Sequence, residues 1–118
     1  MKKGDVYMAV LDPVVGSEQG GRRPVVIMQN NAGNRHSTTV IAVPVTASAK
    51  PALPTHAAIP RGEGGLWLPS IALCEQVRTL EKSRLKYFMG ALNHQRLREL
   101  ERALLISLDI ACTAGDTN

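Results

Sequence analysis

The 118 residues carry 44% hydrophobic and 20% charged side chains, a globular balance that excludes a disordered or collagen-like chain. At this length one compact domain is expected, taken as residues 1–112 with a short tail at 113–118, and a second domain does not fit. Fourteen Lys and Arg against ten Asp and Glu leave a net charge of +4, which favours polyanions or acidic proteins as partners without naming one.

Val6 to Leu11 is a short apolar run of strand formers stopped by Asp12-Pro13, and it predicts a buried first strand. The glycine-rich polar stretch at 16–23 predicts an exposed connection, after which a second strand runs from Pro24 to Asn30. Asn31 to Ser37 has almost nothing apolar and reads as a hairpin loop leading to a third strand, Thr38 to Val45. If that hairpin is symmetric, facing residues have numbers that add to 69, which pairs Asn30 with Thr39 and Arg23 with Thr46. Cβ atoms of such facing pairs lie about 5 Å apart.

Thr46 to Pro54 predicts a surface loop, Thr55 to Ile59 a short strand, and Pro60 to Gly65 a break before Trp67. A long strand is expected from Ser70 to Leu80, a helical turn near Glu81 to Leu85, and a last strand from Tyr87 to Leu92. Asn93 has the chemistry of a helix N-cap, and Leu97, Leu100, Leu104, Leu108 and Ala111 recur at three- and four-residue spacing behind it. That stripe needs to be covered by the sheet, by a second copy of the chain, or by both.

Cys74 and Cys112 are far apart and lack a Cys-x-x-Cys spacing, so both read as reduced thiols. No apolar run approaches the ~18 residues of a membrane span, and the start of the chain has no secretory pattern, so the expected location is the cytosol. His36, His56 and His94 are isolated and read as solvated, which leaves neither a metal site nor a Ser-His-Asp or Cys-His nucleophile. Gly20-Gly21 matches neither a Walker loop nor a dinucleotide fingerprint. Trp67, Tyr7, Tyr87 and Phe88 are too scattered along the chain to announce a base-stacking platform. The residues alone therefore predict a small β-rich domain with a polar, basic site near 16–23 and name no reaction.

Lys3-Gly4-Asp5-Val6-Tyr7, Val14 through Pro24 (VVGSEQGGRRP) and Val43-Pro44-Val45-Thr46, followed by Leu53-Pro54-Thr55-His56 and Leu73 through Thr79 (LCEQVRT), stand in the order of one known pattern. Together with the terminal helix they resemble the MazF/PemK toxins of bacterial toxin–antitoxin pairs over nearly the whole chain. The resemblance implies a mainly β fold with a C-terminal helix, an SH3-like small β-barrel, acting as a homodimer. It also implies a sequence-selective endoribonuclease that cuts single-stranded mRNA without metal or cofactor, leaving 2′,3′-cyclic phosphate and 5′-hydroxyl ends and so inhibiting translation and growth.

Carried over by motif, the catalytic pair is Arg23 and Thr46, the residues that the symmetric hairpin places face to face. A guanidinium stays charged near neutrality, which favours Arg23 as charge clamp and proton donor rather than general base, with Thr46 donating to a phosphate oxygen. Substrate reading is expected from Ser17, Glu18, Gln19 and Gly21 in the glycine-rich loop and from Glu75 and Gln76. Strand alternation sends the last two to opposite faces, and Gln76 is the one expected to touch RNA unless the strand bulges. The implied partner is a cognate antitoxin with an acidic C-terminal segment, through which promoter DNA is bound indirectly. Two other readings are a toxin of the same fold that poisons DNA gyrase and a plain SH3-like nucleic-acid-binding domain; the presence of both Arg23 and Thr46 argues for cleavage.

Overall fold

Pro24-Val25-Val26-Ile27 is apolar at every position, and so is most of Val40 to Val45; strands of this composition are buried on both faces rather than one. The computed structural model, which describes residues 1–111, places these two strands at the centre of an antiparallel sheet. In chain order the elements are β1 (Asp5–Val10), β2 (Arg22–Ile27), α1 (Asn31–His36), β3 (Thr39–Thr46), β4 (His56–Ile59), β5 (Ser70–Leu73), β6 (Arg78–Glu81), β7 (Leu85–Ala91) and α2 (His94–Ser107). Short 3-10 turns lie at Glu63–Gly65, Cys74–Gln76 and Lys82–Arg84.

The strand order is β4-β5-β3-β2-β1-β7, and β3 is the hinge of the sheet. Its first half, Thr39 to Ala42, pairs with β6, and its end, Val45 and Thr46, pairs with β5. The sheet therefore curls around two cores into an SH3-like, barrel-like fold that stays open between β4 and β7 among the described residues. One core gathers Val6, Val26, Val43 and Val45 with Leu100 and Ala103 of α2. The other, on the opposite face, gathers Ala9, Leu11, Val25, Ile27, Val40, Ala42 and Leu80. Alternation along β2 and β3 sends neighbouring residues to different cores, which is why both strands lack a polar face.

The β2–β3 register is the symmetric one: Val25 faces Pro44, Val26 faces Val43 and Ile27 faces Ala42. The connection between them differs from the expected loop. Asn31 to His36 forms a short helix capped by Asn30, whose side chain accepts from Gly33 N at 2.8 Å. Asn30 is thus spent on the cap and does not pair with Thr39. The expected long strand from Ser70 to Leu80 is likewise broken by the 3-10 turn at Cys74–Gln76, where Val77 N donates to Cys74 O.

Two glycines are dictated by close approach. A Cβ on Gly65, whose φ is +76°, falls 2.1 Å from Met89 O, and one on Gly90 falls 2.6 Å from Gly64 C. This contact seats the 62–65 turn on β7. Helix α2 starts as expected at Asn93, whose side chain accepts from Arg96 N at 2.9 Å. Its apolar stripe is buried at Leu100 and packed at Leu97 and Leu104, but Leu108 is 51% exposed and Ala111 lies beyond the helix end. The expected tail at 113–118 and Cys112 lie outside the described residues.

Candidate functional site

Arg23 sits near the foot of β2 and shares a face with Val25 and Ile27; Thr46 ends β3 and shares that face with Pro44 and Ala42. The paired ladder stops at Val25 and Pro44, where β2 keeps β1 (Arg23 faces Ala9) and β3 takes up β5 (Thr46 faces Ile71). Arg23 and Thr46 each lie two residues past this last pair; the ladder does not extend to them, and no hydrogen bond joins their side chains among the described residues. Arg23 is half-buried and its Nε donates to Gly20 O at 2.8 Å, which leaves its two terminal nitrogens for an anion. Thr46 is buried, and its Oγ1 accepts from Ser48 N at 3.1 Å, which leaves the hydroxyl hydrogen to donate elsewhere.

The glycine-rich segment is anchored at its base. Gly21 takes a φ of 74° and donates its N–H to Asp12 Oδ1 at 3.0 Å, a conformation suited to glycine, and Gly21 O accepts from Leu11 N. Arg78 and Arg84 reach across from β6 and the Lys82–Arg84 turn to donate to the carbonyls of Leu11, Val10 and Asp12. Each guanidinium has five donors, so Arg23, Arg78 and Arg84 hold the loop stem while keeping charge for a polyanion. Glu18 accepts from Val15 N within the loop, and both Glu18 and Ser17 stay exposed.

The other predicted readers meet this loop. Gln76 Oε1 accepts from Gln19 N at 2.8 Å, which orients the amide so that its NH2 group is left as donor. Glu18, Gln19, Glu75, Gln76, Arg78 and Thr79 together line a cleft of about 450 Å³. Because Glu75 and Gln76 occupy a 3-10 turn rather than a strand, alternation does not separate them, and both border the cleft. That removes the strand alternation on which the choice of Gln76 over Glu75 rested. Ser17, Gly21 and Thr46 are not among the residues that line it.

Two features escaped the sequence. His56 is not a solvated histidine: its side chain is 7% exposed, and it stands 3.1 Å from Glu75 Oε2 through Nε2 and 3.0 Å from Pro51 O through Nδ1. The scattered aromatics do converge, since Trp67, Leu68, Tyr87 and Phe88 line a groove of about 620 Å³ together with Arg22 and Arg23. Tyr7 braces Phe88 edge-to-face at 5.6 Å between ring centroids. Among the described residues no three His, Cys, Asp or Glu side chains converge as a metal ion requires, and no helix there is long and apolar enough to cross a membrane.

Comparison with known proteins agrees with this fold. A curated relative, Endoribonuclease MazF of Staphylococcus saprophyticus, is 47% identical over 111 residues, spanning 93% of this chain and 92% of its own. An endoribonuclease solved in complex with its cognate antitoxin from a mycobacterial species superposes with a TM-score of 0.80 at 26% identity, covering 96% of this chain and 99% of that one. A MazE–MazF structure from Deinococcus radiodurans gives a TM-score of 0.75 at 27% identity, covering 94% and 97%. The family described as PemK-like, MazF-like toxins of type II toxin–antitoxin systems matches residues 2–108. The chain belongs to that family.

Proposed function

We propose that this toxin is a sequence-selective endoribonuclease that cuts single-stranded RNA without a metal ion, and that Arg23 and Thr46 form its catalytic pair. The observation that supports the reading is the β2–β3 register, whose last pair, Val25 and Pro44, lies two residues from Arg23 and from Thr46, with Pro44 also lining the cleft of Gln19, Glu75 and Gln76. The 2′-hydroxyl of the substrate gives up its proton to solvent water as its oxygen attacks the adjacent phosphorus, the bond to the 5′-oxygen breaks, that oxygen leaves protonated, and a 2′,3′-cyclic phosphate and a 5′-hydroxyl result. Holding these atoms in line makes the attack intramolecular. Arg23, pinned through Nε to Gly20 O, offers its terminal nitrogens to the phosphorane oxygens and a proton to the departing 5′-oxygen. Thr46 donates its hydroxyl hydrogen to a phosphate oxygen.

Glu75, an acceptor, and Gln76, left as a donor through its NH2 group, have the complementary chemistry needed to read base edges on a splayed single strand. A second copy of the chain covers the exposed apolar groove beside Arg23, where Trp67 is 86% exposed and Leu68 is 59% exposed. The inhibitory partner is a cognate antitoxin whose acidic segment lies along Arg78 of the cleft and Arg22 and Arg23 of the groove.

The test is incubation of the purified protein with a mixed-sequence RNA and the matching DNA, each in EDTA. RNA alone is expected to be cut, with 5′-hydroxyl ends. Arg23→Ala is expected to lower the rate by at least about a hundredfold with an unchanged circular dichroism spectrum. Thr46→Ser is expected to remain more active than Thr46→Ala. Cleavage of DNA, loss of activity in chelator, or a fully active Arg23→Ala contradicts this chemistry.

A further inference from the structure

His56 opens β4, and its backbone is fixed on both sides: His56 N donates to Leu53 O at 2.9 Å, and His56 faces Leu73 across the β4–β5 ladder. One residue earlier, Thr55 O accepts from Cys74 N at 3.1 Å, which ties the same point of the chain to the turn bearing Glu75 and Gln76. The imidazole fills the corner between them. Its Nδ1 meets Pro51 O at 3.0 Å, in the segment that follows Thr46, and its Nε2 meets Glu75 Oε2 at 3.1 Å. The ring is nearly enclosed at 7% side-chain exposure, whereas Glu75 is 40% exposed and borders the cleft.

A carboxylate only accepts, so the contact with Glu75 is one in which ring Nε2 carries the hydrogen and donates. This is a clamp on the carboxylate rather than a free histidine. A glutamate on the surface otherwise samples several rotamers, and a base-reading contact made by a mobile side chain discriminates weakly. Only one of the two carboxylate oxygens is engaged by the ring. The other is available to accept from an amino group of an adenine, cytosine or guanine.

We infer that His56 is a positioning residue: it locks the Glu75 carboxylate in the RNA cleft and couples it to the Pro51 segment, so that base preference at one position of the cut sequence is set by His56 acting through Glu75. The inference rests on the ribonuclease reading above. It assigns His56 no contact with RNA and no proton transfer. The selectivity it describes resides in the pair.

The experiment compares wild type, His56→Ala, His56→Gln, Glu75→Ala and the His56→Ala/Glu75→Ala double variant by sequencing the 5′-hydroxyl ends each produces from one transcript pool. His56→Ala and Glu75→Ala are expected to lose about tenfold in preference at the same base position, and the double variant is expected to lose no more than either alone. His56→Gln, which keeps a donor, is expected to recover part of the preference. A merely structural role for His56 lowers total cleavage and melting temperature but leaves the base preference of the remaining activity unchanged, and that result overturns the inference. Additive losses in the double variant, or unchanged preference in Glu75→Ala, overturn it as well. A wild-type protein that cuts no RNA instead overturns the ribonuclease reading, which separates the two failures.

Discussion

At the scale of single residues, the side chains of this site serve the fold and the proposed chemistry together. Cys74 is the clearest structural counterweight to Glu75 beside it: fully buried under Leu100, with Sγ 3.7 Å from Leu100 O. Burial, reinforced by the Glu75 carboxylate, pushes its thiol up from 9.0 to about 12. In the unfolded chain the thiol ionises near the ordinary value, so its contribution to stability is complete below pH 9 and is lost as pH climbs from 9 toward about 12. The expected result is a denaturation midpoint that falls over this alkaline range and falls less steeply in Cys74→Ala. At pH 8 iodoacetamide should leave the Cys74 peptide unmodified in the native protein and alkylate it in urea, as read by mass spectrometry. Rapid native alkylation rules out the buried, protonated thiol. None of this was legible in the sequence, where Cys74 is a cysteine in a run of strand formers; only the turn that follows it brings it beneath the helix. The motif names Arg23 and Thr46 as the proposed pair, whereas the contacts of His56 have no local sign in the sequence, since its partners lie five residues before it and nineteen after it.

At the scale of elements, what the sequence revealed depends on whether an element is held by its own residues or by its neighbours. Helix α2 carries its own signals, an Asn93 cap and a leucine stripe, and it starts where they predict. Leu100 is the stripe's anchor in the larger core at 0% exposure, so Leu100→Ala is expected to cost about 2–5 kcal/mol. Urea unfolding checks this, and a loss below about 1 kcal/mol would mean that α2 does not seal the core. The six residues of α1 carry no such pattern, and a glycine stands among them. That helix has a local Asn30 cap, but it is also held by Lys82 Nζ donating to Asn34 O across the fold, a contact no local window contains. The same holds for the break in the expected 70–80 strand, which has neither Gly nor Pro to mark it; the bend is imposed by β3 passing from β6 to β5. The β2–β3 register survived the misread loop because symmetric closure depends on the residues that flank a connection rather than on its conformation.

At the scale of the whole molecule, the proposed dimer uses the exposed groove lined by Arg23 as its contact. A tryptophan that is 86% exposed next to Leu68, Tyr87 and Phe88 is a costly surface for a solitary protomer and a strong anchor for a second one. A C2 interface uses the same patch twice, so two Trp67 side chains are buried per dimer and one substitution removes both. Trp67→Lys leaves the cores untouched and places two cations where apolar surface was matched. If each anchor contributes about 2 kcal/mol, the dissociation constant should rise roughly a thousandfold, enough to turn a dimer into a monomer at micromolar concentration in sedimentation velocity. Cleavage should fall with it, because the groove shares Arg22 and Arg23 with the proposed catalytic face. Activity and the dimer should then return together as protein concentration is raised. A Trp67→Lys protein that sediments as wild type would place the dimer contact elsewhere on the surface and leave these aromatics free to stack on RNA bases.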